Sequence, residues 1–139
     1  MSNINEINTA VYKVLNNDVS LGGLCTVYKG KKRPIGAENP SVTVNATRLE
    51  PGKGEGVWMC DVVVSSYVDI LANRMPDHDT HSQLNVVISN LLTDTEIDLD
   101  SAKALPLIRG ESTGPEWDRA HDNETLQETT FGLVFVKFS

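Results

Sequence analysis

The sequence has little cysteine, and the cysteines that it has do not form a recognisable site. There are two, Cys25 and Cys60, in 139 residues, and no CxxC pair occurs. A zinc ribbon and a thioredoxin-like redox motif are therefore both excluded. Each cysteine lies in an apolar, strand-like segment, which favours two buried free thiols over a disulfide.

Long apolar segments and excess positive charge are also missing. No apolar segment approaches the roughly 18 residues that a membrane span needs, and the opening MSNINEINTA has neither a basic start nor the apolar core of a signal peptide. We therefore expect a protein of the reducing cytoplasm, with no membrane partner. With 12 Lys and Arg against 19 Asp and Glu, the net charge is −7, which argues against a dedicated nucleic-acid-binding domain.

The motifs that carry common catalytic chemistry are absent as well. There is no GxSxG nucleophile turn, no GxGxxG and no GxxxxGK[ST] phosphate loop. The glycine-rich stretch at 52–56 lies between two strand-like segments and not before a helix, so it is typical of a hairpin tip. The sequence predicts no catalytic residues, no cofactor and no enzymatic activity.

What is present is typical of one globular domain over residues 1–139, with 40% apolar and 22% charged residues. Apolar residues at helical spacing predict helices at about 3–16 and 80–93, each with a capping box: Asn3 with Glu6, and Thr80 with Gln83. Alternating or β-branched segments predict strands at 24–28, 41–49, 57–68, 105–110 and 126–138. We also predict a hairpin over residues 41–68 and a polar loop over residues 111–123. This order predicts an α+β fold, an antiparallel or mixed sheet of about four to five strands with two main helices on one face.

One cluster of ionisable residues, Asp77-His78-Asp79-Thr80-His81, could in principle bind a metal. However, Asp and Thr are also the residues that a helix start requires, and no second cluster supplies further ligands. We predict a helix cap without a metal, and we expect the double substitution His78→Ala/His81→Ala to leave folding intact.

Two features are candidate partner contacts. Lys29, Lys31, Lys32 and Arg33 place four positive charges within five residues of an otherwise acidic chain, which makes a local attraction site for an acidic surface or a phosphate. A solvated loop that helps solubility is the simpler alternative. Trp117 stands in the polar loop, where a tryptophan either folds back onto its own domain or anchors an interface.

With the element order in place, the chain resembles the tail terminator, or tail completion, proteins of long-tailed bacteriophages. The similarity is carried by the N-terminal helix, the basic-proline segment at 27–34, the NPSVTV strand opening at 39–44, the LIR segment at 107–109 and the closing GLVFVKF at 132–138. The polar insert at 111–123 departs from the family's pattern, and indicates an extra contact or a peripheral loop.

The resemblance implies a non-enzymatic virion protein, present in the host cytoplasm during assembly. It implies a homo-oligomer, a hexameric ring that caps the tail tube and joins it to the head connector or stopper protein, while DNA passes through without specific binding. The hairpin tip, with Lys53 and Glu55, would then become ordered on contact with a neighbour. The alternatives are another neck or adaptor protein and, less favoured, a small metal-dependent enzyme.

Overall fold

The computed structural model describes residues 4–99, 102–104, 106–117 and 123–137. The helices are α1 (Ile4–Asn16), α2 (Val19–Gly22) and α3 (His78–Asp94). The strands are β1 (Thr26–Lys29), β2 (Ser41–Pro51), β3 (Val57–Asp69), β4 (Asp98–Leu99), β5 (Ala102–Ala104), β6 (Ile108–Trp117) and β7 (Glu124–Lys137).

All seven strands belong to one mixed sheet. Its order is β1-β2-β3-β7-β5-β4, and β6 pairs with β7 beside β5. Only the β1–β2 pair is parallel among the described strands. The predicted α+β class with a mixed sheet is confirmed; β4 and β5 are two short additions to the expected four or five strands.

The core lies between the sheet and the two main helices. Ile7, Val11 and Leu15 on α1, and Leu84, Ile88 and Leu92 on α3, are at most 1% exposed. Each set recurs every three or four residues, so each helix turns one apolar stripe inward. These stripes meet alternate residues of the three central strands, namely Val42, Val44, Val62, Val64, Phe131, Leu133 and Phe135. The opposite side of the sheet is called the outer face below.

The β2–β3 hairpin is confirmed. Its strands pair from Ser41 opposite Tyr67 to Pro51 opposite Trp58, with a bulge beside Arg48, whose φ is +50°. At the tip, the amide of Gly52 donates to the carbonyl of Val57 at 2.8 Å. Two glycines of the tip, at 54 and 56, adopt positive φ, which explains why this connection is glycine-rich.

The polar loop predicted at 111–123 is wrong over residues 111–117, and the predicted 105–110 strand is misplaced. Residues 108–117 form β6, which pairs antiparallel with β7 with register shifts between Arg109 and Ser112 and between Thr113 and Glu116. These bulges accommodate Gly114 and Pro115 within a strand. Because β6 is exposed along nearly its whole length, it lacks the apolar alternation by which strands are recognised. Residues 118–122 lie outside the described part of the chain.

The start of α3 also differs from the prediction. Asp77, and not Thr80, is the N-cap: its Oδ1 accepts from the amide of Thr80 at 3.1 Å, and its Oδ2 from the Thr80 hydroxyl at 2.7 Å. Both residue types are good caps, and the structure uses the earlier one. The helix is therefore one half-turn longer than predicted. Asn3 of the first capping box lies outside the described residues.

Candidate partner interface

Arg33 is the organising residue of the basic loop between β1 and β2. Its guanidinium pairs with the Glu124 carboxylate, with Nη1 donating to Oε2 at 3.2 Å, and lies 3.7 Å from the ring centroid of Tyr67. Nη1 also donates to Asn39 Oδ1 at 2.9 Å and to Ser41 Oγ at 3.1 Å. The side chains of the ion pair are only 12% and 7% exposed. We call this set the Arg33 clamp.

The clamp holds the loop on the outer face of the sheet. Ser66, the neighbour of Tyr67, points to the helices, because its hydroxyl lies 2.8 Å from Nδ1 of His81 on α3. Side chains alternate along a strand, so Tyr67 and the Arg33 stacked on it lie on the other side. The register places Glu124 opposite Asp69, two residues on from Tyr67 on the same face. Arg33 therefore connects the loop to three strands, β2, β3 and β7.

The lysines of the predicted basic group differ from Arg33 in environment. Lys31 and Lys32 are exposed to solvent. Lys29, at the end of β1, is also exposed, and its Nζ donates to Thr9 Oγ1 on α1 at 3.2 Å. Beside them, Ile35 has no contact that shields it and is fully exposed. The loop thus presents two lysines and one isoleucine, on a backbone that the Arg33 clamp fixes.

The other predicted contact residues lie on two further segments of the chain. Lys53 and Glu55 are exposed at the tip of the β2–β3 hairpin, at the far end of β2 from Ser41, where the clamp binds. Trp117 ends β6, opposite Thr125 of β7, and is 46% exposed. The seven residues predicted for partner binding therefore lie on three segments of the chain, and Trp117 is opposite Thr125, the neighbour of the Glu124 that Arg33 binds.

His81 has a role that the sequence did not reveal. It is 1% exposed; Nδ1 lies 2.8 Å from the Ser66 hydroxyl, and Nε2 lies 2.9 Å from the Thr125 hydroxyl. Burial is the main cause that lowers the pKa of its imidazole below the usual 6.5. The ring is therefore a neutral link between α3, β3 and β7, and the capping interpretation applies to Asp77 alone.

The hydrogen bonds continue along α3 one turn further. Asn85 Nδ2 donates to the carbonyl of His81 at 2.8 Å and to Gln127 Oε1 at 2.6 Å, and Thr129 Oγ1 donates to Asn85 Oδ1 at 3.2 Å. A sequence signal for this network existed: positions 81 and 85 share the apolar face of α3, and positions 125, 127 and 129 share the inward face of β7. Within the described residues, no group of three or more His, Cys, Asp or Glu could hold a metal ion.

Both cysteines are free thiols, as predicted, but only Cys60 is buried, and Cys25 is partly exposed. Cys60 is 2% exposed on β3, and its thiol donates to the carbonyl of Thr47 at 3.3 Å. Burial raises the pKa of Cys60, and likewise that of Cys25, to about 11. Neither thiol is a reactive nucleophile at neutral pH, because the thiolate form is scarce.

Two grooves open on the helix side of the molecule. The first, of about 590 Å³, runs between α1 and the segment that leads from α3 to β4. Its apolar lining residues are Ala10, Val14 and Leu91. Its polar lining includes four carboxylates and one lysine, and consists of Glu6, Thr9, Lys13, Asn17, Asp18, Thr95, Glu96 and Asp98. We call it the α1 groove. The second, of about 520 Å³, lies between α3 and β6, and no carboxylate lines it.

The comparisons with known proteins found a match in structure and none in sequence. No protein-family model matches the chain, and no curated protein matches it in sequence. A chain of the virion of a native gene transfer agent particle has the same fold, with a TM-score of 0.66 over 94% of both chains. The two sequences are 14% identical, so the similarity establishes the fold alone. Among the described residues, no helix is both long and apolar enough to cross a membrane.

Proposed function

We propose that this protein is a structural subunit of a phage-like virion, and that it forms a ring that caps the tail tube and joins it to the head connector. The observation that carries the proposal is the shared fold with a chain of a gene transfer agent virion, end to end over 94% of each chain. A match over 94% of both chains makes a similar place in a particle the simplest explanation.

The surface of the chain agrees with a role in assembly. Large apolar side chains are exposed in several places on the molecule, including Val19, Ile35, Ile108 and Trp117. Such side chains are available for burial against neighbouring subunits. The Ser66 hydroxyl lies beside the His81 imidazole, but both residues are 1% exposed, so this pair does not open onto a cleft.

The ring is tested by the mass of the purified protein in native mass spectrometry over a concentration series, alone and with tail tubes from the same particle. We expect a hexamer, either free or on the tubes. Electron microscopy of the mixture should show density at one end of each tube. Particles made without the protein should contain heads and tails that do not join.

Three results would count against the proposal. The protein would be absent from purified particles, it would remain monomeric with tubes present, or it would coat the tubes along their length. Binding to the head connector without binding to tubes would instead identify a neck or adaptor subunit.

A further inference from the structure

The basic loop and the α1 groove are complementary in both charge and polarity. The groove is lined by the apolar residues Ala10, Val14 and Leu91, and by polar residues that include four carboxylates and one lysine. The loop presents the exposed lysines Lys31 and Lys32, and the fully exposed Ile35. An exposed isoleucine beside two lysines is complementary to a groove that combines apolar side chains with carboxylates.

The loop does not fill the groove of its own chain, because Ile35 is fully exposed. The Arg33 clamp fixes the loop on the outer face of the sheet, whereas the groove is lined by α1 and α3 on the helix side. Lys29 is close to the groove, because its Nζ donates a hydrogen bond to Thr9, one of the lining residues. Arg33 itself is held on the outer face by Tyr67 and Glu124, so the segment next to it does not occupy the groove of its own chain.

From this arrangement we infer that the α1 groove binds the Lys31–Ile35 segment of a second copy of this chain. The contact is head to tail, because the loop of one copy enters the groove of the next. A contact between two different surfaces of the same chain closes into a ring or continues as a filament. The inference rests on the proposed ring and specifies which surfaces form it.

The Arg33 clamp makes the loop rigid. Arg33 ties the loop to Asn39, Ser41 and Glu124, so its backbone is fixed before a neighbour arrives. A loop held in its bound conformation loses less conformational entropy on binding. In this arrangement Arg33 positions the loop, while Lys31, Lys32 and Ile35 make the contact.

A cross-linking experiment tests the pairing directly. Chains with Ile35→Cys are mixed with isotope-labelled chains with Glu96→Cys, and a short bismaleimide is added. Cys25 and Cys60 should react slowly, because burial raises the pKa of both thiols to about 11. We expect a covalent dimer with one labelled and one unlabelled chain. The control is Val86→Cys, a comparably accessible position at 56% exposure on the other groove.

Charge exchange supplies a second, independent test. The double variant Lys31→Glu/Lys32→Glu should weaken self-association about tenfold, since exposed ion pairs contribute under about 1 kcal/mol each. Adding Glu96→Lys and Asp98→Lys to the same chain should restore it. If the lysines bind another partner, such as DNA or the tail tube, the fourfold variant will remain defective.

The outcomes separate this inference from the proposed function. A ring by mass without Ile35–Glu96 cross-links, or with equal cross-links through Val86, overturns the inference and leaves the ring. Cross-links and charge rescue in a protein that is absent from virions support the contact and refute the virion role. No cross-link at the highest soluble concentration, with and without tubes, overturns the pairing.

Discussion

Arg33 and its neighbours Lys31 and Lys32 carry the same charge within three positions. The structure nevertheless predicts a large loss of folding stability when Arg33 is removed and almost none when either lysine is removed. Arg33→Ala takes away the partner of Glu124, a carboxylate that is 5% exposed, together with the stacking on Tyr67. Removing one partner of a buried ion pair costs roughly 3–5 kcal/mol. Because the Asn39 amide still donates to Glu124, we expect the lower end, about 3 kcal/mol.

The assay is urea or thermal unfolding of the purified variants at neutral pH, followed by tryptophan fluorescence. A loss of about 3 kcal/mol corresponds to a fall in Tm on the order of 10 °C for a domain of this size. Lys31→Ala and Lys32→Ala are the matched controls. They should stay within about 0.5 kcal/mol of the natural protein, because both side chains are exposed.

Two further variants identify the cause. Arg33→Lys keeps the charge but not the planar fork, so it should recover only part of the lost stability. Arg33→Ala combined with Glu124→Ala should cost less than the sum of the two single changes, because each alone removes the same ion pair. If Arg33→Ala unfolds within 0.5 kcal/mol of the lysine variants, then the clamp does not stabilise the fold and our reasoning is wrong.

The remaining predictions concern buried groups and backbone conformation. His81→Ala should lower the free energy of unfolding by about 3 kcal/mol, because it leaves a cavity and removes hydrogen bonds. His78→Ala should leave the free energy of unfolding almost unchanged. If the double variant is as stable as the natural protein, the His81 hydrogen bonds do not stabilise the fold. Burial lowers the folded-state pKa of His81, so the stability that this residue contributes is complete above pH 6.5 and is lost as the pH falls below that value. The urea midpoint of the natural protein should therefore fall between pH 7.5 and pH 5.5, and it should fall less in His81→Ala. Cys60 should react with a thiol reagent slowly in the folded protein and quickly in urea. Gly114→Ala should cost about 2 kcal/mol, because φ is +86° and a Cβ would lie 2.8 Å from a carbonyl oxygen of β7, while Gly22→Ala, with open space around it, should be neutral in the same unfolding assay.

The prediction from sequence was most accurate where apolar residues recur with a clear period. The α1 and α3 stripes and the β2–β3 hairpin were located to within a few residues, because their inward positions repeat at helical or strand spacing. It failed at β6, which is exposed along nearly its whole length and contains Gly114 and Pro115. Pairing with the long β7 strand makes residues 108–117 extended, and their partners, 8 to 24 residues further along the chain, are not marked by any apolar alternation in β6.

The candidate interface shows the same division. The composition of the basic loop was visible as four positive charges in five residues, and the hairpin tip was visible in its glycines. The sequence did not distinguish Arg33 from the lysines beside it, because its partner Glu124 is 91 residues away. For the same reason the cluster from Asp77 to His81 looked like one cap, although His81 turns inward toward Ser66 and Thr125.

The sequence by itself determined the α+β class, the apolar stripes, the hairpin and the absence of the common catalytic motifs, because each depends on residues near one another in the chain. Tertiary structure decided which charges became structural, which histidine was buried and where the complementary loop and groove lie. These properties depend on pairs of residues that only folding brings together. Neither the charge of Arg33 nor the polarity of His81 specifies its partner until β3 and β7 are side by side.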